Sequence, residues 1–154
     1  MQRRAGRFRE ERGAALVEFS FIAPVLILLV FGIVDFGWAF AQHQDVRHGA
    51  REGARLAAVN YGTATGAAQT NQIRQEVCDR TNSLNNDTTE VAVDLPSGTN
   101  EGDVVSVTIR YPATSVTGFF SALLKFDLVS TVDMRLERDA TYADSESAGT
   151  FVCG

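Results

Sequence analysis

The stretch FSFIAPVLILLVFGIV, residues 19–34, decides how this chain is to be read. It holds sixteen consecutive uncharged residues, of which only Ser20 is polar. Glu18 and Asp35 close it on either side, and they are the only charges in residues 14–41. A helix rises 1.5 Å per residue, so about 20 residues of this kind cross a hydrocarbon layer. Residues 14–41 are therefore expected to form a transmembrane helix. A buried core helix is excluded, because one small domain cannot surround sixteen mostly apolar residues on every face. A cleavable secretory signal ending at Ala39-Phe40-Ala41 has the right small-x-small form. Against it, the apolar run is long for a signal core, Asp35 and Trp38 crowd the site, and helix formers continue beyond it.

Outward from this segment the charge is uneven. Residues 1–13 hold five arginines against Glu10 and Glu11 and are net +3, which in a chain of −5 leaves −8 for the remainder. A basic N-terminus stays in the cytoplasm and sends the rest of the chain outward. Arg47, Arg51 and Arg55 lie beyond the segment and oppose that signal, partly offset by Asp45 and Glu52. The acidic remainder argues against nucleic acid and anionic headgroups as partners. Of 154 residues, those outside the anchor number roughly 100, enough for one small domain. Both cysteines, Cys78 and Cys153, lie beyond the anchor on the exported side, where a disulfide fastening the C-terminal tail is expected; two unpaired thiols are the alternative.

Glu18 is the unusual residue. A carboxylate within a spanning helix costs about 2.5–3.5 kcal/mol at the bilayer centre, so it has a partner or reaches an interface. It stands five residues after Gly13, in a pattern of basic leader, Gly, four small or apolar residues, Glu and Phe. The run ERGAALVEFSFIAPVLILLVFGIVDFGWAFAQ, followed by REGARLAAV, resembles the TadE-like proteins, minor pseudopilins of the Tad (Flp) pilus assembly system; TVDMRLER, residues 131–138, is also similar. The resemblance is strongest over residues 11–60, and residues 61–126 carry no matching motif.

It implies that a prepilin peptidase cuts between Gly13 and Ala14. Glu18 would then be the fifth mature residue and meet the freed amine of a neighbouring subunit. Prepilin peptidase, other pilin or pseudopilin subunits and the Tad inner-membrane assembly platform are the partners it implies. No cofactor or metal is expected. The competing class is a membrane-tethered or secreted module whose head binds an extracellular or cell-wall ligand.

The helical pattern continues past the membrane to about Asn60, with Gly62 as a stop signal. Pro24 should kink or loosen the span. Gly49, Gly53 and Ala57 form one line of small residues and Ala50, Ala54 and Ala58 another, beside an arginine edge of Arg47, Arg51 and Arg55. Such lines let another backbone come close. Packing under the chain's own head and contact with another subunit are equally good readings of them.

Thr65 should cap a second helix over residues 66–82, burying Ile73, Val77 and Leu84. EVAVDL, VVSVTIRY and LVSTVDMRLE read as an antiparallel three-stranded meander. TGFFSALLKF, residues 117–126, reads as a short amphipathic helix closing the core, with a membrane-touching or partner-touching patch as the alternative. The tail from Asp139 has only Cys153 to hold it. The fold class is α+β and pilin-like. It comprises a basic leader at 1–13, the span at 14–41, a helical extension at 42–60 and an extracytoplasmic head at 61–154.

Catalytic motifs do not appear: there is no phosphate loop, G-x-S-x-G, H-E-x-x-H or C-x-x-C. His43 and His48 are five apart and face differently, and Cys78 has no histidine in the head to activate it.

Overall fold

The computed structural model describes residues 7–81, 84–149 and 151–153. Arg3 and Arg4 of the leader, and Asn82 at the expected end of the second helix, lie outside the described residues. The fold is α+β. A 52-residue helix, α1 (Arg7–Ala58), passes Pro24 without interruption. Its length is about 78 Å at the standard rise. It ends where Asn60 takes a positive φ of 57° and Tyr61 N–H returns to Leu56 O at 3.0 Å, close to the expected stop.

Three strands follow a second helix, α2 (Ala67–Asp79): β1 (Glu90–Asp94), β2 (Val104–Pro112) and β3 (Asp127–Arg135). They form an antiparallel sheet in the order β1-β2-β3. The alternation along β2 sends Val105, Val107, Ile109 and Tyr111 inward against α1 and leaves Ser106, Thr108 and Arg110 on the outer face. Across that outer face Thr108 meets Thr131 at 2.8 Å, and Ser106 donates to Asp133 at 2.5 Å. The distal half of α1 packs on β2 and β3, while α2 lies against α1 and β1. The core sits between them.

Three expectations change. Thr65 does not cap α2; Gly66 does, with φ 62° and no side-chain cap, because its N–H is drawn to Thr141 O at 2.7 Å. Residues 117–126 are turns rather than a core-closing helix. Gly118 takes a positive φ of 75°, and the hydroxyls of Ser115 and Thr117 bond to Asp35 and to nearby backbone, which competes with helix formation. Only Leu124 of that stretch is fully buried.

The tail is also held at far more than Cys153. Tyr142 is buried with its hydroxyl on Ala57 O at 3.2 Å, Ser145 at the start of α3 (Ser145–Ala148) bonds both Val93 N and Val93 O, and Val152 bridges to Glu90. These contacts cover the edge of β1, which would otherwise offer unpaired backbone. The disulfide between Cys78 and Cys153 spans 75 residues with Cα atoms 5.6 Å apart. A loop of that size contributes up to about 4 kcal/mol in the chain-entropy view.

Candidate functional site

The two halves of α1 meet different surroundings. Through Val34 its large apolar side chains are bare: Leu16, Phe19, Phe21, Ile22, Val25, Leu26, Ile27, Leu28, Leu29 and Ile33 are each at least half exposed. The helix is long and apolar enough to cross a membrane, and no residue of its most apolar window is buried by the rest of the chain. That fits a single-pass membrane protein. Gly13 and Ala14 lie in this half, exposed and helical. Glu18 is exposed among the apolar residues, and no ion pair reaches it among the described residues.

From Asp35 onward one face is covered. Asp35, Ala39, Gln42, Val46, Gly49, Gly53 and Leu56 recur at spacings of three and four and are buried, the period of a single helix face. The small residues on it have a local purpose. A Cβ on Gly49 would lie 2.6 Å from Thr81 Cγ2 and 2.8 Å from Ile109 Cδ1; one on Gly53 would lie 2.9 Å from both Val107 Cγ1 and Val77 Cγ2. Ala50, Ala54, Ala57 and Ala58 are buried as well. Both lines of small residues therefore seat the chain's own head.

The head's first polar contact with α1 is at Asp35. Asp35 is fully buried and accepts hydrogen bonds from Ser115 Oγ at 2.8 Å, Val116 N at 3.0 Å, Thr117 N at 2.9 Å, Thr117 Oγ1 at 2.6 Å and Phe120 N at 3.4 Å. Two turns along the same face, Gln42 donates to Thr114 Oγ1 and accepts from Thr114 N at 3.1 Å. Together they fix the loop between β2 and β3 to the helix. In the sequence Asp35 marks the end of the apolar run and an obstacle to signal cleavage, with no partner assigned to it. The signal it missed was the cluster of short hydroxyl residues in the loop, Thr114, Ser115 and Thr117, which suit a carboxylate.

The arginine edge divides. Arg55 pairs with Glu52 at 2.7 Å, Glu52 also receives Arg80, and Arg80 reaches Glu76 at 2.7 Å. The hydrogen bond from Arg55, against an opposing desolvation, holds the Glu52 carboxyl below its ordinary range. Arg47 and Arg51 are exposed. His48 is exposed and His43 half-buried, and no cluster able to hold a metal occurs among the described residues.

A groove of about 540 Å³ runs along β1 beside Arg74, Glu90, Arg110 and Phe151. Arg74 is buried there, with Nη1 on Asn71 Oδ1 at 3.2 Å and Gly149 O at 3.1 Å and its guanidinium 5.6 Å from the centre of the Phe151 ring. These contacts tie the tail to α2.

Residues 13–55 match the family model described as TadE-like protein, the family the sequence resembles. No curated protein and no solved structure matches the chain. The matched stretch takes in the bare half of α1 and most of the covered half, and leaves the sheet outside. The likeness is to a family of Tad pilus components.

Proposed function

We propose that the chain is a minor pseudopilin, a non-catalytic assembly subunit of a Tad (Flp) type IV pilus system. One helix holds it in the cytoplasmic membrane, with residues 1–13 in the cytoplasm, 14–41 spanning, 42–60 extending the helix outside and 61–154 forming the head. The observation that carries this reading is the bare half of α1. Between Gly13 and Val34 it has one carboxylate, Glu18, among exposed apolar residues and five positions after Gly13. A prepilin peptidase that cuts after Gly13 frees the amine of Ala14, and the buried carboxylate then gains a partner of opposite charge. Ala14 and Glu18 stand one turn apart, so Glu18 can hold its own amine until a neighbouring pilin or pseudopilin subunit supplies another. On the arginine edge, Arg47 and Arg51 are exposed and can serve such neighbours or the inner-membrane assembly platform.

Two measurements test this. Intact mass of the exported protein should correspond to an N-terminus at Ala14; a start at Gln42 points to plain secretion, and retention of residues 1–13 to a tethered binding module. In Glu18→Gln, membrane fractionation and head stability should equal wild type or better while piliation and recovery of pilus components fall. Normal piliation in that variant sinks the assembly role of Glu18.

A further inference from the structure

The loop between β2 and β3 carries an apolar surface that the head does not use. Val116, Phe119, Leu123 and Phe126 are 58%, 60%, 69% and 48% exposed. Four large apolar side chains this close together are unusual on a surface that meets water. Nor is the loop loosely attached. Asp35 and Gln42 bind it at both ends of its first turn, Phe119 packs on Phe31 and Phe120 on Phe36 at 5.9 Å each, and the two loop rings meet edge to face at 5.3 Å. A Cβ on Gly32 would touch the Phe120 ring at 3.7 Å. Phe119 is thus fixed at the height of Phe31.

That height is informative. Phe31 precedes Asp35 by four residues, about 6 Å along the axis toward the cytoplasmic end. About 20 residues cross the hydrocarbon, so a span that begins between Ala14 and Leu16 ends between Ile33 and Asp35 at the earliest. Phe31 therefore lies within the apolar layer whether the span ends at Asp35 or continues to Ala41.

The geometry points to insertion of residues 116–126 into the outer leaflet of the membrane, with lipid as the occupant of this surface. The loop adjoins the bare half of α1 through the Phe31–Phe119 ring contact, with Phe36–Phe120 next to it. Lys125, the chain's one lysine, is exposed on the same loop and can extend its ammonium to the phosphates while its stem stays in the apolar zone. Trp38 and Phe40, 37% and 63% exposed, add aromatic rings at the level just above, where such rings collect in membrane proteins. The head would then rest on the bilayer at two points, helix and loop, which sets its tilt. The inference rests on the membrane span and not on the pilus role.

The test uses the full chain in lipid nanodiscs holding one copy each, with bromine on the acyl chains as a quencher. The native Trp38 is changed to Phe, and one tryptophan is placed by Phe119→Trp, by Leu123→Trp, or by Thr131→Trp on the outer face of the sheet. Brominated lipid should lower the fluorescence of the first two about twofold and leave the third unchanged, as expected for a ring at the acyl boundary. Leu123→Trp decides the matter if the tighter site at 119 fails to fold. Quenching at both loop positions no greater than at Thr131→Trp overturns the proposal. A blue shift that appears only with several copies per disc does the same and assigns the surface to a second copy.

Discussion

Glu18 and Asp35 bracket the same apolar run on the same helix, yet their surroundings are opposite. Asp35 is fully buried and receives hydrogen bonds from four residues of its own chain, whereas Glu18 is exposed in the bare half of α1. A carboxylate in apolar surroundings needs partners in either place. The head supplies those of Asp35, and Glu18 is left to whatever lies outside the chain. Within the distal half a similar contrast separates its two faces: Gly37 has open space around it, whereas Gly53 meets two valines at 2.9 Å. The proximal half of α1 faces an environment; the distal half is a wall of the core.

The strongest way to break that comparison is to put a charge in each half. Val46→Asp places an unpaired carboxylate in the core and should destabilise the head by about 3–5 kcal/mol, enough to abolish cooperative melting, while the chain still fractionates with membranes. Leu26→Asp should do the reverse, impairing insertion at a cost of about 3 kcal/mol and leaving a protease-resistant head. Equal loss of both properties in either variant would mean that the halves are not separable.

Size gives a smaller contrast. Gly53→Leu overpacks the contact with Val77 and Val107 and should lower stability by about 1–3 kcal/mol, and Gly37→Leu should change it little. Thermal denaturation of the two purified variants makes the comparison.

Asp35→Ala leaves the N–H groups of Val116, Thr117 and Phe120 without their acceptor, at about 1–3 kcal/mol for a buried group so stranded. The head should melt earlier and the loop should become sensitive to protease. Glu18→Gln should leave head melting unchanged, and a fall there would show that Glu18 contributes to the head after all.

The smallest effect concerns Glu52. Its carboxyl titrates lower in the folded chain, chiefly because of Arg55, so its stabilisation is present above the unfolded value and is lost as pH falls through the folded one. For a partly exposed cluster at the surface this amounts to less than about 1 kcal/mol. Glu52→Gln should flatten the acid side of the stability profile by that much.

The anchor was legible because length and apolarity are local properties, and sixteen residues without charge leave few structures open. The strands were legible for the same reason: VVSVTIRY alternates, and Val105, Val107, Ile109 and Tyr111 do point inward. TGFFSALLKF does not form the expected core-closing helix, and its composition could not exclude that, because an apolar cluster looks alike whether it closes a core or stays on the surface. The choice lay with Asp35, 80 or more residues away. Gly49, Gly53 and the alanines between and beyond them showed that something would come close, without showing what. Only the tertiary structure identifies it as the chain's own Val77, Val107 and Ile109. Sequence alone determined which segments are apolar, where helix and strand periods run and that a carboxylate flanks each end of the apolar run. The tertiary structure decided which of those carboxylates is satisfied within the chain, because a hydrogen-bond partner distant in sequence is set by how the layers stack and not by local pattern.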